Sequence, residues 1–256
     1  MGSSLNVTLF PWDPNSDVHL KCLVSQRVEC GWDKGKVETK WKKQQLKGEK
    51  CIYWIVSAIK YCSRLVFNTN TSRICLQFAE KVLPSDDSQA MSPKNDEMLQ
   101  DTATTINAVS RQPTKESFIP IGHISLDSKN PDAEHIELNL PAENVFWIKT
   151  FYIRRTIQGQ GIGRAAMDEV ESMAVQEPLL AKILMLDTVQ KDDQKREDFA
   201  KVTYGGIPKT TNEEWYARRG YRLIKTVRDY YRDPDRNGKV WDTRTVFMRK
   251  DIAERQ

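Results

Sequence analysis

At 256 residues the chain is long enough for one large domain or one domain carrying a long insertion, and 39% hydrophobic against 29% charged residues excludes a wholly disordered polymer. The longest apolar run, 51–59, falls far short of the ~20 residues a membrane-spanning helix needs, and the first residues match neither a secretory signal nor a myristoylation pattern, so an intracellular, cytoplasmic protein is expected. The net charge of +4 is local: residues 34–50 hold seven lysines against Glu38 and Glu49, which reads as a solvated helix face or, as the alternative, a basic helix beside an anionic cofactor or substrate, and nothing points to a nucleic-acid or membrane partner.

In chain order, 6–12 reads as a short strand ended by Pro11, Asp13 and Pro14. Leu20, Leu23, Val24 and Val28 keep helical spacing until Gly31 stops it, and Asp33 caps a second helix through Trp41 to about Lys47. Residues 51–59, rich in aromatic and β-branched side chains, make a buried strand. From 60 to 117 the signal weakens; 85–114 is polar with few apolar residues, so a poorly ordered insertion is expected within a single domain of 1–256, with a short helix at 72–83.

Strands resume at 118–126 and 144–153, then a glycine turn, then a helix whose Ala166, Val170, Met173 and Ala174 share one face up to Pro178. A short apolar strand spans 183–189, and the polar stretch 192–212 is expected to be a loop with a helical start. A brief helix at 213–219 closes at Gly220, and 221–230 pairs with 240–248 as a final hairpin across Asn237-Gly238. This order is a mixed α/β (α+β) fold, neither doubly wound nor a barrel.

Some chemistries lack their residues. The five cysteines (22, 30, 51, 62, 75) form no C-x-x-C pair and read as reduced packing residues. Three widely spaced histidines (19, 123, 135) argue against a zinc site and against a Ser-His-Asp triad.

Gln158-Gly159-Gln160-Gly161-Ile162-Gly163-Arg164, between a strand and a helix, carries the strongest signal. Alternating glycines allow a sharp turn that gathers main-chain N–H groups at the helix's positive end, and Arg164 adds a charged donor: a phosphate site. Gly161-x-Gly163-x-x-Ala166 also satisfies a dinucleotide fingerprint, with Asp187 where a ribose-binding acid belongs. A nicotinamide-dependent oxidoreductase is therefore one alternative, although residues 154–158 separate the strand from the first glycine and a third parallel strand is missing.

Phe151-Tyr152-Ile153, two basic residues, then Gln158-Gly-Gln-Gly-Ile-Gly resembles the signature of the GNAT superfamily of N-acetyltransferases: Gln or Arg, any, any, Gly, any, Gly or Ala at the head of the helix after the fourth strand. Trp215-Tyr216-Ala-Arg-Arg-Gly220-Tyr221 is similar to that family's second signature. The likeness covers 118–250 well and 6–59 more loosely; Lys209 stands where the family often has Asn, and Arg155 where proline is common.

The resemblance implies a mixed, mostly antiparallel sheet with helices on both faces and a splayed central strand pair, and a primary-amine N-acetyltransferase that uses acetyl-CoA without a metal. Phe151 and Ile153 are then expected to pair with the amide-bearing arm of coenzyme A. The pyrophosphate is expected on the amides of Gln158, Gly159, Gln160, Gly161, Ile162, Gly163 and Arg164, and Tyr216 would protonate the departing thiolate. An ammonium acceptor must lose a proton, for which Glu143, with Glu137 behind it, is the candidate carboxylate. A GNAT-like module that binds acyl-CoA without turnover is the second alternative.

Overall fold

The structure, a computed structural model, describes residues 6–57, 98–232, 234–235 and 238–252. β1 (Val7–Pro11) runs antiparallel to β2 (Ile52–Ser57), and all six residues of β2 are buried. Tyr53 and Ile55 join one apolar cluster while Ile52, Trp54 and Val56 join another, so the period-two pleat of this strand separates two covered faces. That is why the sequence shows a continuous apolar run there rather than alternation.

Helix α1 (Asp17–Cys30) covers the second face. Its start is capped by Ser16, whose hydroxyl accepts from the His19 amide, and it ends at Gly31 with φ +93, a left-handed turn that glycine adopts without strain. His19 and His123 are buried and structural. His19 Nδ1 accepts from the Asp13 amide and from the Trp54 indole, both at 3.1 Å, while Nε2 donates to the Gln100 carbonyl. Burial lowers the pKa of both imidazoles. The expected helix from 33 to 47 is shorter and less regular: a π-type turn at Val37–Trp41 leads into α2 (Lys42–Leu46).

The helix expected at 72–83 lies outside the described residues, as does most of the stretch 60–117. Residues 98–117 depart from the disorder expected of them. β3 (Leu99–Gln100), β4 (Thr105–Ile106), β5 (Val109–Ser110) and β6 (Ser117–Phe118) form two small antiparallel pairs. Asp101, fully buried, organises them by taking both Arg111 guanidinium nitrogens and the Thr114 amide and hydroxyl. Leu99 and Phe118 bury into the second cluster, with Phe118 stacked on Phe10 at 4.5 Å. Polarity misled here because one buried carboxylate with four donors substitutes for apolar side chains.

β7 (Gly122–Asp127), β8 (Val145–Ile153), α3 (Ile162–Ala174), β9 (Ile183–Val189), α4 (Lys191–Gln194), α5 (Glu197–Tyr204), α6 (Asn212–Arg218), β10 (Arg222–Arg228) and β11 (Arg244–Asp251), with short 3-10 turns at Pro131–Ala133 and Arg155–Ile157, complete the described elements. α5 occupies a stretch expected to be mostly loop; Phe199 and Ala200 anchor it, with Phe199 meeting Trp241 edge-on. The seven-stranded sheet runs β1-β2-β7-β8-β9-β11-β10 and is antiparallel at every pair except β8 with β9.

α3 lies on the first face, burying Ile162, Ala166, Met167, Val170 and Ala174. Its larger apolar side chains contribute about 1.5–3 kcal/mol each. Among the described residues no helix is long and apolar enough to cross a membrane.

Candidate active site at the strand splay

β8 and β9 pair only over Val145–Trp147 with Ile183–Met185 and then part. The cause lies on the other edge of β8. Its register with β7 shifts between His123 and Ser125, and Thr150 adopts φ +51, so an extra residue bends β8 away from β9. The Arg154 amide bonds to Ile121 and His123 opposes Tyr152, so alternation turns the main-chain groups of Phe151 and Ile153 toward the gap. The Ile153 carbonyl is already held by the Gln158 side chain at 2.7 Å, which leaves the Phe151 groups and the Ile153 amide for a ligand.

The glycine turn stands at the mouth of this gap. Gly159 (φ +79) and Gly161 (φ +86) have no atom within 4 Å of where a Cβ would be, so backbone conformation, and not packing, requires glycine. Gly163 differs: its φ is not in the left-handed region and a Cβ there would lie 3.5 Å from the Phe151 ring, an ordinary contact, so neither conformation nor packing demands glycine. No side chain caps the start of α3, leaving its first-turn amides directed at the open turn. A cradle that is open, left-handed and rich in donors suits a pyrophosphate.

A groove of about 1050 Å³ connects the splay, the turn and the edges of α1, α2 and α6. Phe151, Ile153, Gln158, Gly159, Gly161, Gly163 and Arg164 all line it, as does Tyr216. Gln160 and Ile162 do not. Gln160 is exposed, and the Ile162 side chain is packed in the core, so its amide alone is available at the turn.

An aromatic series holds Tyr216 in place. Phe151 and Trp215 have ring centroids 6.3 Å apart, Trp215 and Tyr216 5.0 Å, and Tyr216 and Tyr221 5.8 Å. Arg219, just past α6, and Lys250 of β11 both pair with Glu171 of α3. At the start of α6, Thr211 and Glu214 form a reciprocal cap. Burial, with Asp187 nearby, pushes the Tyr216 phenol well up, which keeps it a proton donor. Asn212, close to the position where the family often has Asn, also faces the groove.

Glu143 requires a correction. It precedes β8 at the opposite end of the strand, six residues or about 20 Å of extended chain before Lys149, and lines a separate depression with Lys182 and Arg249. Glu137 is exposed, lines no part of the groove, and only its carbonyl is engaged, by Lys225. Strand direction decides this: a site at the C-terminal end of β8 is out of reach of residues before its N-terminal end.

Four acids line the groove, Asp33, Asp127, Asp132 and Asp187, and of these Asp187 lies on β9 across the splay from β8. Its Oδ2 accepts from Lys149 Nζ at 2.5 Å, its Oδ1 from the Tyr231 hydroxyl at 2.5 Å, and Lys149 also donates to Tyr231 at 2.9 Å. Burial alone would lower the Lys149 pKa, but Asp187 and neighbouring acceptors outweigh it and raise it. Lys50, wholly buried beside Asp127 at 2.7 Å and over the Trp41 ring, moves the other way because burial prevails. A lysine within the apolar run of β8 and an aspartate within that of β9 were the available sequence signal: two opposite charges in neighbouring buried strands require each other.

These contacts, with the mostly antiparallel sheet, overturn the nicotinamide alternative, since Asp187 is sealed into an ion pair. The acetyltransferase (GNAT) family profile matches residues 77–204, half of the chain. The chain belongs to the GNAT acetyltransferase family. Arabidopsis thaliana NAA60 in complex with a bisubstrate analogue is similar over 97% of this chain and 100% of that one, at 12% identity and a TM-score of 0.51. NAA60 of the same plant in complex with acetyl-CoA matches at 11% identity, over 96% and 99% of the two chains, with a TM-score of 0.49. Aminoglycoside 6'-N-acetyltransferase from Enterococcus faecium matches at 13% identity over 98% of each chain, with a TM-score of 0.45. At such identities the likeness concerns the fold and not the acceptor. No curated protein matches the sequence.

Proposed function

We propose that this GNAT acetyltransferase moves an acetyl group from acetyl-CoA to a primary amine by direct transfer without a metal. The observation that carries the reading is the meeting of three features in one groove: free main-chain groups at the splay, the open glycine turn, and Tyr216 between them. Acetyl-CoA supplies the activated acyl group as a thioester. The amides of 159–164 and the Arg164 guanidinium hold its pyrophosphate, and Phe151 and Ile153 extend the sheet onto its amide-bearing arm. Such positioning converts an encounter into a near-attack geometry, which is a large part of the rate.

As the amine nitrogen bonds to the acyl carbon, the carbon–sulfur bond breaks and Tyr216 gives its proton to the sulfur. The amine sheds its own proton to solvent through the open groove. Asp187, with both oxygens engaged, orients Lys149 and Tyr231 beside the acceptor. With no spare carboxylate serving as base, kcat/KM should rise with pH along the amine's own ionisation. Tyr216→Phe should lower kcat about 100-fold while acetyl-CoA Kd, measured by calorimetry, stays the same. An unchanged kcat removes Tyr216 from the mechanism. Tight acetyl-CoA binding with no thiol release from any amine would instead leave a non-catalytic acyl-CoA-binding module.

A further inference from the structure

The arm of the groove beyond the splay carries an unequal charge. It is lined by the cations Arg27, Lys36, Lys40, Lys50, Lys129 and Lys149 and by the acids Asp33, Asp127, Asp132 and Asp187, an excess of two positive charges. Each acid is already committed. Asp33 holds Lys36 at 2.6 Å and Arg27 at 3.5 Å. Asp127 holds Lys50 at 2.7 Å and the Cys51 amide at 3.2 Å. Asp132 holds Lys40 at 2.5 Å, and Asp187 is shared by Lys149 and Tyr231.

The cations are not equally committed. Lys129 is 61% exposed at the rim, with Glu49 only at 3.8 Å, whereas Lys40, a third exposed, is held by Asp132 at 2.5 Å. Among the described lining residues, an acceptor with a second ammonium would meet surplus positive charge and only acids that already hold a cation. One with an anionic group would meet exposed ammonium donors while its amine points to the splay.

Building on the acetyl-transfer reading, we infer that the acceptor is a primary amine bearing a carboxylate or phosphate, which Lys129 at the rim of this cation-rich arm binds. The excess charge also favours the neutral form of the incoming amine, because nearby cations disfavour a further ammonium. This links acceptor choice to the absence of a spare base.

The test is thiol release from acetyl-CoA by the full chain with four probes matched in length: 4-aminobutyrate, 3-aminopropyl phosphate, 4-aminobutanamide and 1,4-diaminobutane, compared at equal free-base concentration. The two acids should exceed the amide in kcat/KM by about tenfold, mainly through KM, and the diamine should be poorest. The better of the two acids identifies carboxylate or phosphate as the group bound. Added salt should shrink the preference, since the rim is exposed. The Lys129→Gln variant should bring the acid-to-amide ratio toward one. Equal turnover of amide and acids, or a preference for the diamine, overturns the inference while acetyl transfer stands. No turnover of any probe despite acetyl-CoA binding by calorimetry overturns both.

Discussion

The two arms of the groove are built from different materials. The cofactor arm is main chain: glycines at positive φ, an uncapped helix start, and strand groups exposed by a bulge, with one aromatic series fixing Tyr216. The acceptor arm is side chain: ion pairs contributed by α1, β7, β8, β9 and the turns around α2, with Tyr231 beside them. A main-chain cradle recognises a shared feature of its ligand and tolerates drift elsewhere. A network of paired charges recognises one acceptor, and each pair must be complete because an unpartnered buried charge is costly.

The division between the arms can be broken in stability first. Asp187→Asn should lower unfolding free energy by about 3 kcal/mol in urea denaturation, because Lys149 is left buried without its counter-charge. Acetyl-CoA should still bind, and if binding disappeared with it, the arms would not be separable. Acid pH tests the support behind the acceptor arm, where Gly48 packs closely on Asn107 and Ala108. Burial tends to raise the Asp101 pKa, but hydrogen bonds from Arg111 and Thr114 prevail and bring it from 3.8 to about 2. A depressed carboxylate stabilises fully above its unfolded value and loses that contribution as pH falls through its folded value. Hydrogen exchange in 98–118 should therefore accelerate between pH 3.8 and about 2. Asp101→Asn should remove that step, with a loss of about 2 kcal/mol at neutral pH.

Smaller effects sharpen the contrast. Gly161→Val forces a β-branched residue into a left-handed conformation at a cost of about 1–2 kcal/mol, so acetyl-CoA should bind about tenfold more weakly by calorimetry. The acceptor KM at saturating acetyl-CoA should not move. Smallest of all, Glu143→Gln should alter kcat/KM by less than about twofold from about pH 6 to 9, since it lies outside both arms.

Legibility followed the same division. The glycine turn, the helix after it and the Trp215-Tyr216 segment are contiguous, so their chemistry is written in local spacing, and the alternate faces of β2 and α3 are written in periodicity. Residues 98–117 and α5 were misread because their order rests on partners far along the chain: Asp101 with Arg111 and Thr114, Phe199 with Trp241. Glu143 was misplaced because nearness in sequence to a strand does not reveal at which end of that strand the site lies.

By itself, the sequence determined the fold family and the glycine turn for which a phosphate is proposed, because backbone conformation at Gly159 and Gly161 and the periodicity of the strands are local properties. Only the tertiary structure decided that β8 parts from β9, that Lys149, Asp187 and Tyr231 meet, and that cations outnumber acids in the arm of the groove beyond the splay. Those features depend on strand order and on residues tens of positions apart, and a charge carries no mark in the sequence of the partner that neutralises it.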